Sequence, residues 1–104
     1  MTRPDPATLT DLAAIRAGID AIDDEIMVLL AERMAHVEAV VPIKKREGIA
    51  AAAPARAQTV YDKTRARAER LGIDPDMAEA MWRVMVEAII AREERDLGKT
   101  GDDA

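Results

Sequence analysis

Apolar side chains recur through the first part of the chain at Leu12, Ile15, Ile19, Ile22, Ile26, Leu29 or Leu30, Met34, Val37 and Val40 or Val41. Gaps of three and four dominate, which is the period of one helical face with a near-heptad seam. Thr10 or Asp11 offers a side-chain oxygen to the free N–H groups of the first turn. The pattern extends to Lys45 or Arg46, predicting a helix of about 35 residues and roughly 50 Å. Pro42 disturbs it, because proline lacks an N–H and crowds the preceding turn. Two readings stand: the helix ends near Val41, or it kinks and resumes through Lys44.

Residues 1–9 hold two prolines and predict an irregular leader, and residues 47–55, EGIAAAAPA, read as a connector. A second helix is predicted from about Pro54 to Leu71, with proline in its first turn. Its weak apolar face is Ala57, Val60, Tyr61, Thr64, Ala68 and Leu71, and Gly72 suits the left-handed cap position. Asp74 and Pro75 restart a third helix. That helix carries Ala78, Met81, Trp82, Met85, Ile89 and Arg92 on one face and fades near Leu97 and Gly98, leaving GKTGDDA as a frayed tail. No alternating strand pattern and no internal repeat is present. The expected fold is all-α, with three helices in one domain over residues 1–104 and a core of about 11–97. Two shorter helices folding back once cannot cover the first. Its seam is therefore expected to be buried against a second copy, in an intertwined homodimer.

Composition strengthens that expectation. Of 104 residues 21 are alanine, with one Trp, one Tyr and no Phe, so the core of a monomer would be thin. The formal charge of -5 argues against a general nucleic-acid-binding surface. Cysteine is absent, which removes disulfides and thiol nucleophiles. No run of about 18 apolar residues could span a membrane, and the N-terminus lacks a secretion-signal pattern, so a cytoplasmic location is expected. A single histidine, His36, excludes a multi-histidine metal centre and a histidine-based triad. GKT at 98–100 lacks the rest of a phosphate loop, and Asp23, Asp24 and Glu25 lack calcium-loop spacing. No metal or cofactor is expected. Arg65, Arg67 and Arg70, interleaved with Asp62 and Glu69, read as a solvated face.

Cations inside the apolar seam are harder to explain. Arg33 and Lys44 lie eleven residues apart, which returns to within about 20° on a helix and separates them by roughly 16 Å. Burying an unpaired charge is costly. Either the two snorkel or pair with carboxylates, or they line an anion pocket. Arg16 lies about 100° round the helix from Arg33 and roughly 25 Å away. It cannot share a small ligand with Arg33 from one straight helix, but in an antiparallel dimer it could reach the partner's site. Arg56 at the start of the second helix and Glu93 near the end of the third could close the same cavity.

These residues resemble the all-helical chorismate mutase family (AroQ-type), including its isochorismate pyruvate-lyase branch. The signature is IRAGIDAIDDEIMVLLAERMAHVEAVVPIK, residues 15–44. The family pattern Arg–x–x–Ile–Asp–x–(Ile/Leu)–Asp falls on Arg16, Ile19, Asp20, Ile22 and Asp23. Its Leu–Leu–Ala–Glu–Arg block is Leu29 to Arg33, and its lysine is Lys44. The likeness covers about residues 11–95. It implies a homodimer with two equivalent sites, each joining Arg16 of one chain to Arg33, Lys44, Arg56 and Glu93 of the other, and a helix that continues past Pro42. It also implies a small dicarboxylate substrate and a pericyclic rearrangement of chorismate to prephenate, without metal, nucleophile or redox cofactor. Lys44, Glu93 and Arg33 would be the catalytic residues.

The sequence departs from the family where glutamate stands at Glu93 in place of the glutamine of many mutases. The acids usual next to Arg56 and three residues before it are Ala57 and Ala53, and the usual small hydroxyl residue is Ile89. The loss of those acids departs from standard mutase specificity. Apolar Ala57 after the arginine and the Pro–Ala–x–Arg-like approach from Pro54 to Arg56 resemble the lyase branch, which converts isochorismate to salicylate and pyruvate, while the spacing from Lys44 to Arg56 resembles ordinary mutases. Mutase is the first expectation and lyase the alternative, with a non-enzymatic helical interaction protein as a third reading that leaves the seam cations unexplained.

Overall fold

The computed structural model describes residues 3–98. They form a 3-10 turn at Pro6–Thr8 and three α-helices, α1 (Leu12–Glu47), α2 (Pro54–Leu71) and α3 (Pro75–Leu97). No strand occurs among the described residues. No helix among them is long and apolar enough to cross a membrane. The chain divides into two compact units, Met1–Glu38 and Ala39–Ala104, and α1 contributes to both.

The first unit is the leader and the longer part of α1. Where sequence predicts an irregular leader, Asp5 builds a turn. Its carboxylate accepts from the Ala7 N–H at 2.9 Å and its carbonyl from the Thr8 N–H at 2.9 Å. Of the two candidate caps for α1, Asp11 takes the role. Its Oδ1 accepts from the N–H groups of Ala13 at 2.8 Å and Ala14 at 3.3 Å. Arg3 pairs with Glu25, which ties the leader back along the helix. Between them lies an open groove walled by Leu9, Ile15, Ile19 and Ile22.

No residue of α1 is buried. Ile19, Ile22, Ile26 and Leu29 of the seam are exposed, and so are Met27 and Val28, at 67% and 68%. Residues 26–29 are thus apolar around the whole circumference of the helix. A helix of that kind is suited to burial on every side.

In the second unit α1 continues through Pro42 to Glu47. Of the two readings of Pro42, termination near Val41 does not occur. The helix ends instead in a left-handed Gly48, with φ 70°, and the Ile49 N–H donates to the Lys44 carbonyl at 2.8 Å. This six-to-one bond satisfies a carbonyl left free by the helix end. Gly72 repeats the device after α2, with φ 74° and the Ile73 N–H on the Ala68 carbonyl at 2.8 Å. Both are positions where glycine avoids a Cβ penalty.

Helices α2 and α3 pack as a hairpin. The predicted face of α2 supplies its buried residues, Tyr61, Thr64 and Ala68, whereas Leu71 at the end of that face is 67% exposed. The buried Thr64 hydroxyl donates to the Val60 carbonyl, so burial leaves no polar group unsatisfied there. Asp74 caps α3 through the Asp76 N–H at 2.9 Å. On α3 Ala78 is buried and Met81 is exposed.

Arg65 departs from its expected place on a solvated face. It bridges to Asp76 at 2.9 Å and Glu79 at 3.3 Å, pinning α2 to α3, while Arg67 and Arg70 are exposed. Glu79 also accepts from Arg83 Nε at 2.7 Å, and the Arg83 guanidinium lies 4.1 Å from the Tyr61 ring centroid. The hydrogen bond from Arg83, with help from Arg65, holds the Glu79 carboxyl below its ordinary range. Of the predicted tail, residues 99–104 lie outside the described residues.

Candidate active site

Lys44 sits in the last turn of α1, four residues before Gly48 turns the chain back. That reversal brings the alanine connector beside the helix end. Ala50, Ala51 and Ala53 are buried there, and the Lys44 ammonium donates to the Ala51 carbonyl at 3.2 Å. Glu93 approaches from the last part of α3, and its Oε2 lies 2.9 Å from Lys44 Nζ. The side chains are 18% and 7% exposed. This is a largely buried ion pair between positions 49 residues apart in sequence.

The geometry has a chemical consequence. An ammonium carries three donors and no acceptor. Two of the Lys44 donors are engaged by Ala51 and Glu93, so one is left for a further acceptor. Glu93 Oε1 likewise remains available for a second contact. The pair is a charged group held in place by one acceptor of full charge and one of partial charge. That arrangement suits an oriented donor better than a nucleophile or a proton shuttle.

Of the five candidate residues, Lys44 and Glu93 are brought together. Arg33 lies on α1 within the first unit and is half-buried. Its Nη1 is shut off from solvent and has no hydrogen-bond partner among the described residues. A buried donor left unsatisfied costs on the order of 1–3 kcal/mol, more when charged, so an Arg33 in this state is poised to receive an acceptor. Arg16 and Arg56 are exposed and make no ion pair among the described residues. Sequence reasoning missed the Ala51 carbonyl altogether. The available signal was Gly48, which stands directly after the basic last turn of α1. No cluster of three His, Asp or Glu side chains that could hold a metal occurs among the described residues.

Comparison with known proteins agrees with this architecture. The family model described as chorismate mutase type II matches residues 15–94. A chorismate mutase of Methanocaldococcus jannaschii is 32% identical over 89 residues, covering 86% of this chain and 90% of that protein. A T-protein of Enterobacter agglomerans is 33% identical over 88 residues, covering 84% of this chain and 24% of the T-protein. A T-protein of Haemophilus influenzae is 32% identical over 82 residues, covering 79% and 22%. The chain thus spans about a quarter of the length of the T-proteins and nine-tenths of the archaeal protein. No solved structure matches it significantly.

Proposed function

As the chain belongs to the chorismate mutase type II family, we propose that it converts chorismate to prephenate in a pocket completed by a second copy. The observation that carries this reading is the Lys44–Glu93 pair, formed by two residues that the sequence already marks as candidates. The reaction is intramolecular: the ether C–O bond breaks, a C–C bond forms, and no proton or electron leaves the molecule. Such chemistry needs a held conformation and a donor where charge develops. Holding the reacting ends together recovers part of the barrier as entropy lost before the chemical step.

Negative charge grows on the ether oxygen as its bond lengthens, and the remaining Lys44 donor is the group to meet it. Arg33 supplies a second charged donor whose Nη1 awaits an acceptor, which a substrate carboxylate would provide. Arg16 of the partner subunit and Arg56 would grip the remaining anionic groups, consistent with their exposure in the single chain. Glu93 positions Lys44 by accepting from its ammonium at 2.9 Å. The wet, all-round apolar stretch at residues 26–29 supports the dimer on which the shared pocket depends.

Purified protein supplied separately with chorismate and with isochorismate tests the reading. Prephenate formed with the larger kcat/KM is the expected result. Efficient salicylate release with marginal prephenate would transfer the assignment to the isochorismate pyruvate-lyase branch, with which Ala57 and the approach from Pro54 to Arg56 agree.

A further inference from the structure

Lys44 is fastened to the connector twice. Its backbone carbonyl accepts the Ile49 N–H at 2.8 Å, and its side-chain ammonium donates to the Ala51 carbonyl at 3.2 Å. The first bond closes the Gly48 turn, and the second uses the chain that this turn sends back. Residues 50, 51 and 53 are each no more than 6% exposed, although alanine has little surface to contribute to a core. Such tight packing of a non-helical segment fixes where its carbonyls point. Pro54, at the first turn of α2, ends the segment with a restrained backbone.

We propose that residues 49–53 form a positioning strap, with the Ala51 carbonyl as the group that aims the Lys44 ammonium. The proposal rests on the reading of Lys44 as the donor to the ether oxygen. A lysine amine on four methylenes has several rotamers of similar energy, and a single partner leaves it free to swing about that partner. Glu93 alone would define one contact. Glu93 and the Ala51 carbonyl together define two, and the tetrahedral ammonium then has one direction left for its third N–H. The carbonyl touches no substrate. Its effect is on orientation, so it should appear in turnover more than in substrate affinity.

Replacing Ala52 by L-lactic acid tests this directly. The backbone ester makes the Ala51 carbonyl a weaker acceptor and leaves every side chain in place. The Ala52 N–H that it removes makes no hydrogen bond among the described residues. The expected result is a fall in kcat of about threefold to tenfold, the scale of one hydrogen bond, with KM changed less than about twofold. Far-UV circular dichroism should not change. Nitrogen-15 NMR of the Lys44 ammonium should show faster proton exchange with water in the ester protein, whether or not substrate is present.

Unchanged kcat and unchanged ammonium exchange in the ester protein would overturn the strap. So would a fall in kcat with ammonium exchange unchanged, since the loss would then not come from the aim of Lys44. Lys44→Ala separates this from the underlying reading. If Lys44→Ala is inactive while the ester is silent, the strap fails and the reading stands. If Lys44→Ala remains active, the reading fails, and ammonium exchange alone then decides whether the strap holds Lys44.

Discussion

Substituting Lys44 by methionine should destabilise the protein more than loss of an ordinary surface charge, because it strands Glu93. Methionine keeps most of the apolar stem and removes the ammonium. The Glu93 side chain is 7% exposed and its Oε2 loses its partner at 2.9 Å. Removing one member of a buried pair typically costs about 3–5 kcal/mol. Lys44 is 18% exposed, so water can enter beside the vacated ammonium, and the lower end of about 3 kcal/mol is expected. The Ala51 carbonyl also loses a donor, a smaller effect of about 1 kcal/mol or less once water replaces it.

Adding Glu93→Gln removes the stranded charge, and the double variant should recover about 2 kcal/mol relative to Lys44→Met alone. Urea unfolding followed by circular dichroism at one protein concentration measures both, since association would otherwise shift the midpoint. With a slope of about 1.5–2 kcal/mol per molar, the single variant should lose about 1.5–2 M in midpoint. A parent-like midpoint for Lys44→Met would refute the claim that Glu93 depends on this partner. A double variant as unstable as the sum of the two single variants would show that the two side chains are not coupled.

Leu29→Glu, at a site 63% exposed in the single chain, should move the sedimentation mass from dimer to monomer, and a parent-like dimer would refute burial of the α1 seam against a second copy. Glu79 offers a pH test. Its folded-state carboxyl lies below the ordinary range, so its contribution is present above the unfolded value of about 4.3 and is lost as pH falls through the folded value. The stability gap between the parent and Glu79→Gln should therefore be present near neutrality and narrow at acid pH. A gap independent of pH in urea unfolding would contradict the pairing with Arg83 and Arg65.

Element limits were legible in the sequence because caps are local. Asp74 followed by Pro75, and Gly72 after Leu71, act on backbone groups within one turn, and α2 ends at Leu71 and α3 begins at Pro75. That Arg33 and Lys44 both fall on α1 was legible for a similar reason, since the three-and-four spacing of apolar residues spans both positions. Continuation through Pro42 was legible only through the family resemblance, because a missing N–H weakens a helix without deciding whether the residues beyond it resume the turn.

Only the tertiary structure decided the partners. Glu93 was a candidate by position, but its contact with Lys44 spans 49 residues and depends on where the α2–α3 hairpin returns. Arg65 looked like one cation among several on a solvated face until Asp76 and Glu79 came opposite it. The Ala51 carbonyl is the extreme case. Every residue carries the same carbonyl, so no side-chain pattern marks the one that will be aimed at an ammonium. Its direction follows from the Gly48 turn and from the burial of the alanines around it, which exist only once the chain is packed.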